Sequence, residues 1–160
     1  METTLAVAKA LYLMYEKKFG ATMDEMKMHK LMYFAQRESF IKEKCQLFGE
    51  SFYGWKYGPV LTSVRHEYMK PKPFDDISES VSDGTLALID GVLERYGKVS
   101  SWNLSMLSHE EISWKLSRTG LESSENGERQ LSVQAIQLDA IRESIARSSM
   151  KDKEKNGDYK

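Results

Sequence analysis

Between Met23 and Lys44 the apolar side chains do not stay on one stripe. Met28, Leu31, Met32, Ala35 and Ser39 recur at three- and four-residue steps, and Tyr33, Phe34 and Phe40 widen the arc well beyond them. A helix with so broad an apolar surface has to be enclosed on more than one side. The rest of the chain must therefore supply the elements that surround it. Thr22 and Glu25, three residues apart, have the spacing of a capping box, so the period predicts a central helix over about 23–44.

The same spacing recurs elsewhere. Leu5, Ala8, Tyr12, Tyr15 and Phe19 predict a first helix over 4–18, stopped by Gly20. Pro59 is expected in the first turn of a third helix, 59–69, where its missing N–H has no partner to lose; Val60, Val64 and Tyr68 would face inward. Pro71 and Pro73 end it, and 70–82 reads as a polar surface loop. A fourth helix over 83–96 carries Leu86, Ile89, Val92, Leu93 and Tyr96. Ser100 or Ser101 caps a short fifth helix ending near Leu107. Ser108 and Glu111 then suggest a second capping box opening a sixth helix, 109–118, with Trp114 and Leu116 buried. Residues 119–130 read as an exposed loop. Ser132 caps a last helix, 133–148, with Val133, Ile136, Ala140, Ile141 and Ile145 inward. The expected fold is mainly α: one compact domain over 1–148, of about seven helices, and a polar flexible tail over 149–160. The length of 160 residues suits a single core.

Charge and cysteine content narrow the function classes. A net charge of -1 lacks the basic excess of a protein that lives by gripping phosphates, so nucleic acid is not the expected partner. The single Cys45 cannot form an internal disulfide and suits a reducing compartment. Lys9, Glu16, Lys17 and Lys18 interrupt the N-terminal apolar pattern, which excludes a signal-peptide reading, and no run reaches the roughly 18 apolar residues of a membrane span. A cytoplasmic protein is expected.

No catalytic constellation emerges. His29, His66 and His109 share no metal-ligand spacing, and Cys45 has no neighbouring ligand. Gly54 and Gly58 are not followed by the Lys-Ser or Lys-Thr of a phosphate loop. Cys45 lacks the signals of an activated thiol. Glu110 and Glu111 after His109 read more simply as acids in a first helical turn than as an acid–base pair. The two helices over 100–118 resemble a helix-turn-helix in outline, but the second would open with glutamates and offer only Lys115 and Arg118 to DNA. Neither an enzyme nor a cofactor or metal is expected.

Residues 46–58 mix aromatics with glycines and read as a short hairpin or a packed loop, with Phe52, Trp55 and Tyr57 plugging gaps between helices and Lys56 exposed between two rings. Three blocks, Met28–Gln36, Phe48–Val60 and Val92–Lys115, together resemble the Panacea-domain family of SocA-like antitoxins, also described as phage-associated proteins. The most specific part is Trp55-Lys56-Tyr57-Gly58-Pro59-Val60; Tyr96-Gly97, Trp102, Leu104-Ser105, Leu107, His109-Glu110 and Trp114 match at the family's spacing. The likeness spans about 5–118. Met28-His29-Lys30 stands where Leu-Gln-Lys is common, and Ser108 where Thr is common.

Members of that family are mostly helical and neutralise toxins encoded beside them, often on prophages. Their toxins range from small alarmone synthetase-like enzymes to membrane-damaging peptides, and one member hands its toxin to the ClpXP protease. The resemblance implies a cognate protein toxin as partner, with a ClpXP-type protease as a second. Lys56, Tyr57, Tyr53, His109 and Glu110 are the candidate partner-binding residues, because Trp and Tyr anchor interfaces and because a His at a helix start is not explained by the helix dipole. The alternative function is a transcriptional or phage regulatory protein that binds DNA.

Overall fold

A computed structural model describes residues 1–155 of the chain. Its elements run α1 (Thr4–Phe19), α2 (Glu25–Lys42), β1 (Tyr53–Trp55), β2 (Gly58–Val60), α3 (Thr62–Tyr68), α4 (Asp83–Tyr96), α5 (Ser101–Ser108), α6 (Ile112–Ser117) and α7 (Val133–Lys155). The protein is mainly helical, as expected, with one two-stranded antiparallel hairpin. Helix α2 packs against α1, α3, α4, α5, α7 and β2. Every residue from Lys27 to Phe40 is buried, which is why its apolar arc is so wide. No helix among the described residues is long and apolar enough to cross a membrane.

Several boundaries differ from the expected ones, each for a local reason. Asp24, not Thr22, caps α2: its carboxylate accepts from the Lys27 amide at 2.8 Å. Glu25 is left to meet His29 and Arg65. Pro59 lies in β2 opposite Gly54, and α3 begins only at Thr62. A proline fits here because the hairpin has only two strands, so no third strand needs its amide. The amide of Leu61, the residue before α3, donates to His29 Nδ1 at 3.2 Å, and Glu50 accepts from Ser63 within the first turn. Thus α3 is capped by side chains remote in sequence.

The second capping box does not form. Ser108 closes α5, where its hydroxyl donates to the Ser105 carbonyl, and His109 is the C-cap of α5 rather than the start of α6. The N-cap of α6 is Glu111, whose side chain makes no capping bond. Asp139 of α7 takes over, accepting from the Ile112 amide at 2.6 Å and the Ser113 amide at 3.2 Å.

Two segments read as solvent-facing are partly structural. Within 70–82, Phe74 is buried at a positive φ of 67° and packs on Tyr12 and Tyr68; its amide donates to Glu67. The 119–130 loop is exposed but organised by Arg118, which donates to the carbonyls of Glu122, Glu125 and Asn126. Its end joins the hairpin: the Gly54 amide donates to the Arg129 carbonyl, and Leu131 to Phe52.

Helix α7 follows the expected facing at Val133, Ile136 and Ala140, which pack on the core, and departs from it beyond them. Ile141 and Ile145 are exposed, whereas Asp139 and Ala140 are buried and Glu143 and Arg147 half-buried. The helix runs to Lys155 rather than ending at 148; of the expected tail over 149–160, residues 156–160 lie outside the described residues.

Candidate functional site

Two features distinguish the molecule chemically: a polar network inside and an apolar surface outside. The network starts from Tyr33 on α2. Its hydroxyl lies 2.5 Å from Asp139 Oδ2, 3.1 Å from Glu111 Oε2 and 3.1 Å from Ser113 Oγ. One turn along α2, Arg37 donates to Glu111 Oε1 at 2.7 Å and to the Tyr96 hydroxyl at 2.7 Å, and its guanidinium covers the Phe34 ring. A further Arg147–Glu38 pair, with two bonds of 2.9 Å, ties α7 to α2. Burial pushes the Tyr33 hydroxyl well above its ordinary value, and the nearby Glu111 and Asp139 add to it. Burial also raises the Glu111 carboxyl to about 7, against the pull of Arg37. Apart from the Nε atoms of Arg37 and Arg147, which are buried without a partner, these groups bond one another, so the network joins helices. Among the described residues, no group of three or more His, Cys, Asp or Glu side chains is placed to hold a metal.

The surface is built at the hairpin turn. Helix α5 turns Leu104, Ser105 and Ser108 inward. Its opposite arc presents Trp102, Met106 and Leu107, exposed by 57%, 50% and 44%. Tyr57, at the turn between β1 and β2, is 47% exposed, and its ring centroid lies 6.3 Å from that of Trp102. Ser105 Oγ donates to the Tyr57 carbonyl and so fastens the turn to α5. From the other side, Trp114 Nε1 donates to the Trp55 carbonyl at 2.8 Å and Arg118 to the Gly54 carbonyl at 3.1 Å. The turn is thus held rigidly by α5 and α6, with its aromatic ring outward.

The candidate residues divide around this turn. Tyr57 is at its centre. Lys56 is half-buried, its ammonium 5.2 Å from the Tyr57 ring centroid. His109 lies behind it, its ring stacked on Trp114 at 4.1 Å and 9°. Burial and the nearby Lys30 hold the His109 ring below its ordinary value, while the Tyr57 carbonyl draws it up. Tyr53 is set apart: its hydroxyl accepts from Gln130, beside the 119–130 loop. Glu110 is exposed and meets Lys115 at 3.4 Å, while its carbonyl accepts from Arg142 of α7. The structure therefore gathers Lys56, Tyr57 and His109 and leaves Tyr53 and Glu110 at the margins.

Other readings change. Phe52 is buried, as a plug should be, but Trp55 is only half-buried beneath the Arg65 guanidinium. Trp114 is half-buried and Leu116 is exposed, so neither is the core residue expected of it. Glu111 is not a first-turn acid but a buried member of the network. Trp102, Met106 and Leu107 were missed. The signal was available: three large apolar residues fall on the arc of α5 opposite Leu104, Ser105 and Ser108, a helix apolar on the side facing away from its packing.

The family model described as antitoxin SocA-like, Panacea domain, matches residues 28–115. That interval begins at the first buried turn of α2 and ends within α6, so it includes the hairpin, the α5 surface and His109. No curated protein and no solved structure matches the chain.

Proposed function

Because the chain belongs to the SocA-like antitoxin family with a Panacea domain, we propose that it binds and neutralises a cognate protein toxin, without catalysis of its own. The carrying observation is the family match, which takes in more than half of the 160 residues and the whole hairpin–α5 region. The contact surface in this reading is Tyr57, Trp102, Met106 and Leu107, rimmed by Lys56. A cluster of large apolar groups held outward by a rigid support is the composition expected of a binding anchor.

Binding rather than chemistry is supported by how the reactive groups are spent. His29 uses both ring nitrogens, on Glu25 and on the Leu61 amide. Cys45 is exposed and His66 is exposed, on separate elements. The arc of α5 that faces outward carries no cation to meet a DNA phosphate. The free exposed thiol suits a reducing compartment such as the cytoplasm.

Co-expression with the product of the adjacent gene tests the reading. The expected result is a toxic product whose toxicity this chain abolishes; a harmless neighbour, or toxicity unchanged, would overturn it. Masking and proteolytic delivery separate in a host lacking a ClpXP-type protease. Continued neutralisation there means direct masking, and lost neutralisation means delivery to the protease.

A further inference from the structure

Beneath the hairpin turn lies a buried lysine with no ion-pair partner among the described residues. Lys30 projects from α2 and is 2% exposed. Its stem passes Gly58 so closely that a Cβ there would lie 2.6 Å from Lys30 Cε, and 2.6 Å from Ser108 Oγ. Gly58 also has a φ of 121°, so both its conformation and its neighbours require glycine. Three elements, α2, β2 and the end of α5, converge at this point.

Among the described residues Lys30 forms no salt bridge. Glu25 and Asp24 pull on its charge only across space, and burial lowers it to about 8. An unpaired buried ammonium is expensive, on the order of several kcal/mol, and a fold does not need one for packing. A second group near it lacks a partner: His109 Nε2 is buried and has no hydrogen-bond partner. Stacking on Trp114 fixes the direction of that ring. Lys30 and His109 are near enough for the lysine's charge to depress the histidine.

We propose that Lys30 and His109 form a socket, under the Tyr57–Trp102 surface, for one acidic side chain of the protein partner. The carboxylate accepts from the Lys30 ammonium and, as it arrives, holds a proton on His109 so that Nε2–H donates to it. One lysine and one histidine suit a single carboxylate better than a phosphate, which would call for more positive charge. Around the socket Asp24, Glu25 and Glu110 are the nearby acids, and His29, Arg65 and Arg118 the nearby bases. This inference rests on the antitoxin reading for the identity of the partner, but the socket can be tested without it.

The test uses the full chain with labelled lysine Cε and histidine rings, followed by NMR during additions of sodium acetate, sodium phosphate and sodium chloride at matched ionic strength. Acetate is expected to shift Lys30 and His109 saturably and to raise the Lys30 titration midpoint by about half a pH unit or more. Chloride should do neither, and Lys30→Met should abolish the response while leaving the melting temperature unchanged or higher, since a buried charge has been removed. Equal shifts with acetate and chloride, meaning screening only, would overturn the socket, as would a stronger response to phosphate. Should Lys30→Met fail to fold, the lysine is structural and the socket is overturned. Co-expression separates the two ideas. Full toxin neutralisation by Lys30→Met refutes the socket and leaves the antitoxin reading standing. Acetate binding without any neutralisation does the reverse.

Discussion

The seam between α2 and α7 and the outer face of α5 depart from the usual partition of side chains in opposite senses. At the seam polar residues turn inward: Tyr33, Arg37 and Glu38 on α2 meet Asp139, Glu143 and Arg147 on α7, while Ile141 and Ile145 point outward. On α5 the inward residues are small or polar apart from Leu104, and the large apolar ones are outside. The two cases differ in satisfaction. Nearly every polar group at the seam has a partner, so its chemistry is spent within the fold. On the α5 arc Trp102, Met106 and Leu107 stay exposed, with Trp102 meeting the Tyr57 ring. The first inversion fixes how helices meet, and the second leaves large apolar groups on the surface.

The sharpest way to break this contrast is to remove an acceptor from the seam. Asp139→Ala would strand the Ile112 and Ser113 amides and deprive Tyr33 and Ser113 of their shared acceptor. A loss of about 3–5 kcal/mol is expected in urea unfolding, the range for breaking a buried charged group's contacts. A midpoint near that of the parent chain would mean that the network is ornamental.

Glu111 gives the next largest effect, and it depends on pH. Its carboxyl is raised from 4.5 to about 7 by burial first and by Asp139 as well. The native state therefore holds a proton that the unfolded chain releases. This contribution is complete below about 4.5 and is lost as pH rises through about 7, up to roughly 3 kcal/mol. His29 and His109 are both lowered, chiefly by burial, so their contributions fall away as pH drops below the ordinary histidine range. Comparison with Glu111→Gln isolates the carboxyl: the parent chain should gain stability relative to the variant from pH 7 to pH 5. Parallel pH profiles would show that Arg37 keeps Glu111 ionised throughout.

How much of this was readable in the sequence follows the same division. Helix existence was legible wherever apolar spacing and a stop agreed, as in α1, α2 and α4, because local periodicity determines it. Helix ends were less so. The caps of α3 and α6 come from Glu50, His29 and Asp139, remote in sequence, and a local capping pattern such as Ser108–Glu111 cannot reveal them. The facing of α7 was legible at Val133, Ile136 and Ala140 but not at Ile141 and Ile145, because apolarity marks the inner side only where the inner side is apolar. At the candidate site, Tyr57 and His109 were visible through the motif. Lys30 also stood in the motif, but its burial was not visible, since nothing local distinguishes a buried lysine from an exposed one.

A smaller stability effect and a larger functional one are expected on α5. Changing Trp102 and Met106 together to serine should alter stability by about 0.5 kcal/mol or less, as for exposed positions. Neutralisation of the toxin should be lost. Ile141→Ser with Ile145→Ser on α7 is the matched comparison, since both residues are also exposed. If the α7 pair abolishes neutralisation and the α5 pair does not, the binding surface has been placed on the wrong helix.

The smallest change is Lys56→Glu, and it bears on how the surface recognises charge. Lys56 lies over the Tyr57 ring, an exposed contact worth about 0.5–1 kcal/mol, so the fold should lose no more than that. At a rim, reversing a charge acts mainly on encounter with the partner, and salt screens the effect. An acidic partner should therefore associate more slowly with Lys56→Glu at low ionic strength, Lys56→Gln should fall between, and the three chains should converge as salt is added. Slower association that persists at high salt would assign Lys56 a packing role through Tyr57. A faster association by Lys56→Glu would mean that the partner's facing surface is basic, and the carboxylate socket beneath the turn would then lose its occupant.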